Sequence, residues 1–439
     1  MDRDEDALKM LVFDMSYTLQ IIRERQLEGP ILARDLNGFF AHVWNVHPID
    51  TIFDPAGSPD TAGRPEIVPL APRHSFIRGR MERYRWPRWL KPLNFILAQM
   101  SLLRMLRRLI RQEGIDIIRA EDSWYSGLLA LYLARRTRLP LMIGVWGNPG
   151  TIRAATGRPL MPRLFRKIWV EEMVERLVLQ SADRVIVQNE DNRRFVVSMG
   201  APPEKARLFR LGNIVHPLHF EAPADRLDGR PDLAELGLSQ NQILLVISRL
   251  EPLKYTEDAV RALGAVKDSC PRAALLFAGD GSQRGELAQL AESLGIGERV
   301  VFAGNRDQQW LARVVPHVSA VICPLTGRAL AEAGLGGVPL IAYDVDWHSE
   351  VVESGVTGEL VPHRDHQAMA QAIERVLSDP ERAQALGRNC RARIAEMMDP
   401  ALLNQIQRGE YAELLAERRR PARKHAYAGG AAHPAREDF

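Results

Sequence analysis

Two cations, Arg249 and Lys254, follow a predicted buried strand at residues 243–248 and precede a predicted helix. Two fixed positive charges near one point suit a diphosphate leaving group, because arginine can bind it with two hydrogen bonds and lysine acts as a point charge. Both would stabilise the negative charge that grows on the diphosphate as a bond to it breaks. Taken alone, the pattern fits a solvated loop with two exposed cations better than it fits a diphosphate-binding site.

The stretch at residues 320–344 adds a second group of residues suited to an anion. It reads as a buried strand, a tight turn at Thr326 and Gly327, a short helix that carries Glu332, and another buried strand. A helix that opens at such a turn between parallel strands receives anionic ligands, because its first amides are unpaired and its positive end favours phosphate. The stretch therefore predicts the nucleotide half of a sugar-transfer site.

Other candidate motifs carry less weight. The glycines at residues 279–285 are misspaced for a dinucleotide fingerprint and indicate mainly a tight turn at a cleft. The group Asp344, Asp346, His348 and Glu350 invites a metal assignment, which we reject because loop acids of this kind are common and no further ligands are placed. The isolated histidines favour structural roles: His42, His47, His216 and His219.

The elements that must position these residues alternate between strand and helix in both halves of the chain. This alternation predicts parallel sheets with right-handed crossovers. At 439 residues the chain is too long for one core. We expect an N-terminal domain at residues 1–212, a C-terminal domain at 213–400, a helix at 401–417 that crosses back to the N-terminal domain, and a disordered tail at 418–439.

Composition excludes several classes of protein. The net charge of +3 gives no reason to expect a nucleic-acid partner. The three scattered cysteines fit neither a metal site nor a disulfide framework and favour a reducing cytoplasm. The acidic N-terminus argues against a signal peptide, and no apolar run is long enough to span a bilayer.

Residues 73–111 are strongly basic, with eleven arginines and lysines against one acid, Glu82, and with Tyr84, Trp86 and Trp89 interleaved among the arginines. The predicted helix places leucines on one face and Arg104, Arg107, Arg108 and Arg111 mostly on the other. Such segments can lie on an anionic membrane surface. An ordinary domain helix with solvated arginines is an equal alternative, and RNA binding is a third that no RNA-binding motif supports.

Three polar residues at strand ends are the candidates for the acceptor side. Asp122 and Asn148 end or follow two predicted strands of the N-terminal half, and Asn189 begins a helix after the next strand. Because the carboxyl ends of parallel strands face the cleft of an open α/β sheet, we expect these side chains near an acceptor.

Together the motifs resemble the family 4 glycosyltransferases of the GT-B fold over most of the C-terminal half. The matching stretches, in the family's order, are Ser-Arg-Leu at residues 248–250 with Lys254, Phe-Ala-Gly-Asp-Gly at 277–281, Val-Phe-Ala-Gly at 301–304, Leu-Ala-Glu-Ala at 330–333, Gly-Val-Pro-Leu-Ile-Ala at 337–342 and Val-Thr-Gly-Glu-Leu-Val-Pro at 356–362. Residues 181–189 and 200–211 resemble the end of the family's N-terminal domain.

The resemblance implies two Rossmann-like domains facing each other across a cleft, a nucleotide-diphosphosugar donor, retention of configuration, and no metal or cofactor. It implies that Arg249 and Lys254 hold the diphosphate and that Glu332 binds the ribose hydroxyls. The turn residues Thr326, Gly327 and Arg328 would contact the phosphate or the sugar of the donor. Asn305 and Arg306, which follow another predicted strand, would lie near the base. Pro324 stands where the family usually has a second glutamate.

We therefore predict a retaining glycosyltransferase that acts on a glycan or lipid-linked acceptor in cell-surface polysaccharide assembly. We expect it in the cytoplasm, with a peripheral contact to the inner face of the membrane through residues 73–111. Three alternatives stay open: another GT-B enzyme such as a nucleotide-sugar epimerase, a non-catalytic protein that binds sugar nucleotides or membranes, and a nicotinamide dehydrogenase, which the misspaced glycines disfavour.

Overall fold

The N-terminal domain of the computed structural model is built on an eight-stranded sheet with the order β3-β4-β2-β1-β5-β6-β7-β8. The structure describes residues 7–24, 27–52, 61–210 and 215–419. The strands of this N-terminal sheet are β1 (Leu8–Phe13), β2 (Phe40–His47), β3 (Glu66–Ala71), β4 (His74–Arg78), β5 (Ile117–Ala120), β6 (Leu141–Val145), β7 (Arg184–Val187) and β8 (Ala206–Leu208). All neighbours pair in parallel except β3, which is antiparallel to β4 at the sheet edge.

Helices cover this sheet because its central strands are apolar on both faces, as parallel strands require. They are α1 (Leu19–Glu24), α2 (Glu28–Leu32), α3 (Lys91–Glu113), α4 (Tyr125–Thr137), α5 (Pro149–Thr156), α6 (Ile168–Ser181) and α7 (Glu190–Ser198). Helix α4 packs between α3 and α6. On this face a large cluster of buried leucine, isoleucine and valine side chains forms the domain core.

The C-terminal domain contains a six-stranded sheet, parallel throughout, with the order β11-β10-β9-β12-β13-β14. The strands are β9 (Gln242–Ile247), β10 (Ala273–Ala278), β11 (Val300–Gly304), β12 (Ala320–Cys323), β13 (Leu340–Tyr343) and β14 (Gly358–Val361). The helices are α8 (Arg230–Glu235), α9 (Thr256–Ala265), α10 (Arg284–Ser293), α11 (Gln308–Val314), α12 (Ala329–Gly334), α13 (His348–Val351), α14 (His366–Ser378) and α15 (Pro380–Met397). Apolar clusters lie on both faces of the sheet.

The last helix, α16 (Pro400–Arg419), leaves the C-terminal domain and packs on the N-terminal sheet. Its Tyr411, Leu414 and Leu415 are buried in one cluster with Met10 and other residues of β1 and β2. The helix includes residues 418 and 419, so the predicted disordered tail begins too early. The remainder of that tail, residues 420–439, and the predicted domain boundary at 212 lie outside the described residues.

Two elements near the cleft differ from the sequence prediction. Strand β4 is not predicted, because its arginine-bearing sequence reads as part of a basic segment. Helix α5 is not predicted, because Asn-Pro-Gly at residues 148–150 reads as a loop. The structure shows that Asn148 caps this helix and that Pro149 is its first residue, where proline is well tolerated.

Candidate functional site

The loop after β9 is held against the loop after β10 by close backbone contact. A Cβ atom on Gly279 would lie 1.9 Å from the carbonyl oxygen of Ser248, and one on Gly281 would lie 2.4 Å from that of Leu250. Gly279 also has a φ of +148°, which glycine adopts readily. These glycines therefore fix the backbone that carries Arg249 at the carboxyl end of the sheet.

The two predicted cations lie on this fixed loop. Arg249 is exposed, and Lys254 is half-buried with its Nζ 3.3 Å from the carbonyl oxygen of Leu325, to which it donates. Burial first, and then the charge of Arg249, lower the pKa of Lys254. Two cations therefore lie on one loop, and an anion bound beside them would relieve their mutual repulsion.

Helix α12 carries the buried carboxylate Glu332 at the same edge of the sheet. Its Oε1 lies 2.8 Å from Nε of Arg328, one helical turn earlier. Burial raises the pKa of Glu332, while Arg328 and a hydrogen bond from Gln308 oppose that rise. A carboxylate held by a flexible arginine and an amide can exchange these partners for ligand hydroxyl groups.

His348 lies beneath the turn that opens α12. Its Nδ1 donates to the carbonyl oxygen of Tyr343 at 2.9 Å, so in the neutral ring Nε2 accepts from the amide of Thr326 at 3.1 Å. Nε2 is also 3.0 Å from the carbonyl oxygen of Thr326, which it would contact as a donor only after protonation. Burial lowers the pKa of His348 and so favours the neutral ring. His348 thus positions the turn.

The residues that follow β11 form the other end of this group of site residues. Arg306 lies over the ring of Trp310, 5.1 Å from its centroid, and Gln308 lies between Glu332 and the linker residue His219. The ring Nε2 of His219 is 2.7 Å from Oε1 of Gln308, and burial lowers the pKa of His219 to about 4. A neutral His219 can donate to Gln308, whose amide group then faces Glu332.

All eight predicted donor residues line one cleft of about 700 Å³ between the domains. They are Arg249, Lys254, Asn305, Arg306, Thr326, Gly327, Arg328 and Glu332. The sequence patterns do not identify Gln308 or His348 as part of this site. Gln308 begins α11 without any distinctive motif, and His348 attracts attention only as a rejected metal ligand.

A paired cluster of charges forms the N-terminal side of the cleft. Arg34 bonds to Asp14 and donates to Asn45 at 2.6 Å, and Arg119 lies 3.0 Å from Glu121. Burial alone would raise the pKa of Asp14, but Arg34 and hydrogen bonds lower it to about 2.

The C-terminal helix and an indole ring complete this cluster. Tyr411 of α16 accepts from Arg119 at 2.7 Å, and the indole Nε1 of Trp146 donates to Glu121 at 2.6 Å. Each charged group of this cluster is therefore paired with a group of opposite charge inside the protein.

The three acceptor-side candidates do not come together. Asp122 lines a smaller cavity beside the cleft, where burial raises its pKa to about 6. Asn148 caps α5 and donates to Asp191 at 2.8 Å, and it lines neither cavity. Asn189 caps α7 and donates across the domain interface to Asp346 at 2.9 Å. Their positions at strand ends are as expected, but two of the three side chains serve as helix caps.

Three of the residues that were rejected as metal ligands make other contacts. Asp346 bonds to Asn189, Glu350 bonds to the amide of Glu190 at 2.7 Å and to Arg210 at 2.5 Å, and His348 bonds to backbone. Among residues 7–24, 27–52, 61–210 and 215–419, no group of three or more histidines, cysteines, aspartates and glutamates is placed to hold a metal ion. The acids of this loop join the two domains.

Comparison with known families covers both domains. Residues 232–393 match the family described as glycosyl transferases group 1, and residues 47–212 match the glycosyl transferase 4-like domain. The chain belongs to the family 4-like glycosyltransferases. The group 1 match contains all the predicted donor residues that line the cleft, and the 4-like match contains Asp122, Asn148 and Asn189.

Curated relatives match this chain only in part. The D-inositol 3-phosphate glycosyltransferase of Mycobacterium marinum is 32% identical over 223 residues, which are 48% of this chain and 45% of that protein. The alpha-D-kanosaminyltransferase of Streptomyces kanamyceticus is 26% identical over 305 residues, 66% of this chain and 76% of that protein. The chain spans about half the length of the inositol phosphate relatives it matches.

Solved structures show the same fold. Anabaena Alr3699/HepE in complex with UDP has a TM-score of 0.67 at 19% identity, covering 93% of this chain and 100% of that one. The sucrose-phosphate synthase of Thermosynechococcus elongatus has a TM-score of 0.67 at 20% identity with the same coverage of both chains. The chain therefore has the expected GT-B architecture of two α/β domains across a cleft.

Proposed function

We propose that the protein transfers a sugar from a nucleotide-diphosphosugar to an acceptor, with retention of configuration. The observation that carries this proposal is the single cleft that collects two cations, the turn before α12 and the buried Glu332. Arg249 and Lys254 hold the diphosphate, and Glu332 holds the ribose hydroxyls. Asn305 and Arg306 lie toward the base. A neutral ligand would leave the repulsion between Arg249 and Lys254 uncompensated.

In the proposed reaction the bond between the sugar C1 and the diphosphate oxygen breaks, and the acceptor oxygen bonds to C1 on the same face. The acceptor proton passes to the departing diphosphate. Arg249 and Lys254 stabilise the charge that grows on that diphosphate, so we expect transfer without a metal ion or cofactor. Activity that survives a chelator would support this part of the proposal, and loss of activity would contradict it.

The acceptor would lie against the N-terminal domain. Relatives include D-inositol 3-phosphate glycosyltransferases and a GDP-mannose-dependent mannosyltransferase of phosphatidylinositol monomannoside. These names support a glycan or lipid-linked acceptor, such as those used to build cell-surface polysaccharides. The three cysteines, Cys270, Cys323 and Cys390, are free and buried, which fits a cytoplasmic enzyme.

We also propose a peripheral membrane contact, now confined to the second half of the basic segment. The first half is engaged in the sheet, where Arg78 bonds to Asp50 at 2.6 Å and Arg80 to Glu66 at 3.2 Å. From residue 89 onward, large apolar side chains are exposed at helical spacing: Trp89 (77% exposed), Leu93, Ile96 and Met100. In the described part of the chain no helix is long and apolar enough to cross a membrane.

An anionic surface fits this stripe, because Arg104, Arg108 and Arg111 are exposed next to it on α3. The test is flotation with vesicles of phosphatidylserine and phosphatidylcholine. Replacing Arg104, Arg107, Arg108 and Arg111 by glutamine should abolish flotation, as should Ile96→Glu. A protein that floats equally well after these changes, or does not float at all, contradicts the proposal.

The reaction itself is tested with UDP-glucose and GDP-mannose, which the names of related proteins suggest as first donors. A donor should raise the unfolding temperature, because it binds only the folded state. The anomeric proton of the product, observed by NMR, should show the configuration of the donor. Conversion of the donor without any acceptor would instead indicate an epimerase, and binding of NAD in place of both donors would revive the dehydrogenase alternative.

A further inference from the structure

A second cavity, of about 320 Å³, adjoins the cleft on the N-terminal side. The two cavities share four lining residues, Asp14, Ser16, Glu121 and Trp146, so the indole ring of Trp146 stands between them. We call this second cavity the side pocket. It lies next to the place where the proposed acceptor would meet the donor, and none of the donor residues lines it.

The walls of the side pocket are largely apolar. Its apolar lining consists of Met15, Trp124, Val145, Trp146, Pro149, Ile152, Leu160 and Met161. Both indole N–H groups are already used inside the protein: Trp124 donates to Glu175 at 3.0 Å and Trp146 to Glu121 at 2.6 Å. These hydrogen bonds hold both rings in place and leave no indole N–H free for a ligand in the pocket.

The polar residues of the pocket are also engaged. Ser123 donates to Glu175 at 2.9 Å, Asp14 is bonded to Arg34 and to the amide of Ser16, and Oδ1 of Asp122 accepts from the amides of Trp124 and Ser126. A sugar ring inside this pocket would lose hydrogen bonds to water and find few replacements, which is unfavourable. An apolar group loses nothing there and gains burial.

The pocket walls are held rigidly from behind. Arg153 of α5 donates to Glu171 at 3.0 Å and to Glu175 at 2.7 Å, and all three side chains are buried. Glu171 also accepts from the amides of Leu160 and Met161, which form one wall. The shape of the pocket is therefore set before any ligand enters.

The pocket reaches the outer surface of the domain beside α6. Ile152 lines the pocket and is itself exposed, and α6 exposes Trp169 (64%), Met173 and Leu177 at helical spacing. Helix α6 lies in the same layer as α3, whose apolar stripe we assign to a membrane surface. An apolar chain can thus lie in the pocket without crossing the charged cluster at the cleft floor.

We propose that the side pocket binds the apolar part of an amphiphilic acceptor, an alkyl or prenyl chain attached close to the hydroxyl that receives the sugar. This inference rests on the proposed function, because it assigns one part of the acceptor. The polar head then lies in the cleft near Ser16 and Glu121, and the chain runs past Trp146 to Ile152 at the outer end of the pocket.

The test compares octyl β-glucoside, below its micelle concentration, with methyl β-glucoside. Saturation-transfer NMR should show contact to the octyl chain, and the octyl compound should bind at least tenfold more tightly, which is about 1.4 kcal/mol. Met161→Glu should remove this difference, whereas Met161→Leu should retain it. Met173→Glu, on the outer face of α6 and outside the pocket, is the matched control and should retain it too.

Equal binding of the two glucosides, or equal loss in Met161→Glu and Met173→Glu, would overturn the proposal and indicate surface adsorption. The affinity for UDP is measured on the same variants and should not change, which shows that Met161→Glu is folded. If neither UDP nor any nucleotide sugar binds, while the octyl chain still binds at Met161, the proposed transfer fails and the apolar site remains.

Discussion

The two sides of the cleft use arginine in opposite ways. On the C-terminal side Arg249 is exposed at the end of β9, on a loop held by glycine contacts. On the N-terminal side Arg119 is buried and bonds to Glu121 and Tyr411. The first arrangement keeps a charge available for an anionic ligand. The second uses its charge internally and leaves a nearly neutral surface for the other substrate.

The same difference appears in the direction of the pKa shift of one cation on each side. Burial lowers the pKa of Arg119, but Glu121 more than reverses the effect and raises it. For Lys254 the nearby carboxylate of Asp346 does not offset burial and the charge of Arg249, so its pKa stays lowered. A diphosphate bound there would add negative charge and offset the repulsion between the two cations. On the N-terminal side the buried charges are paired within the protein, whereas on the C-terminal side Arg249 and Lys254 repel each other.

Arg119→Ala should produce the largest loss of stability, because it leaves Glu121 buried without its partner. Breaking a buried pair in this way costs about 3–5 kcal/mol of unfolding free energy. The measurement is urea unfolding followed by circular dichroism, with the dissociation constant for UDP taken in parallel and expected to stay within about twofold. Arg194→Ala is the control: that arginine is exposed and its pair with Asp191 should contribute less than about 1 kcal/mol. Equal losses of stability in the two variants would show that the buried Arg119 contributes no more than an exposed arginine.

Local sequence predicts the C-terminal side of the cleft well. Arg249 and Lys254 follow a buried strand, and Glu332 follows a turn and opens a short helix, so strand ends and turn residues place them without knowledge of distant contacts. The fold class follows from the same alternation of strands and helices, and the structure confirms it.

The N-terminal side depends on contacts between distant segments. Tyr411 and Arg119 are 292 positions apart, and Asn189 and Asp346 are 157 positions apart. Whether a strand-end asparagine faces a ligand or caps a helix depends on the next turn of chain, which is why Asn148 was predicted near an acceptor but serves as a cap. One sequence contains no signal for such pairings.

Arg249→Ala should leave stability nearly unchanged and reduce transfer strongly. Removing one preorganised donor from a developing negative charge costs about 10²–10³ in rate, or about 2.7–4 kcal/mol. The measurement is kcat/KM for the donor that the thermal-shift screen identifies. Arg261→Ala, an exposed arginine on α9, serves as control and should keep full activity. A stable variant with normal kcat/KM would show that the exposed arginine is a solvated loop residue after all.

Gly279→Ala tests whether the glycine contacts position the donor loop. The new Cβ would meet the carbonyl oxygen of Ser248 at 1.9 Å, so backbone must move. We expect a loss of about 1–3 kcal/mol in stability together with weaker UDP binding. Gly285→Ala is matched to it, because that glycine lies in α10 with nothing within 4 Å of its added Cβ, and alanine there should be neutral or stabilising by up to about 1 kcal/mol. Unchanged UDP binding in Gly279→Ala would mean that the loop tolerates displacement.

Of these predictions, the one for His348 has the smallest expected effect and is the only one that depends on pH. Burial lowers its pKa below the ordinary 6.5, so the folded state binds the proton less readily than the unfolded state. Its contribution to stability is therefore complete above pH 6.5 and is lost as the pH falls from 6.5 toward the lowered pKa. Protonation also removes the acceptor for the amide of Thr326, so UDP binding should weaken over the same range.

His348→Gln should flatten both pH profiles. Because glutamine can still accept one hydrogen bond, the loss at pH 8 should be about 1 kcal/mol or less, or about fivefold in UDP affinity. His363→Gln is the comparison, since that histidine lies against Tyr255 and Tyr343, away from the turn. If His348→Gln keeps the wild-type pH profile, the turn at Thr326 does not depend on the histidine, and the difference between the two sides of the cleft rests on Arg249 and Lys254 alone.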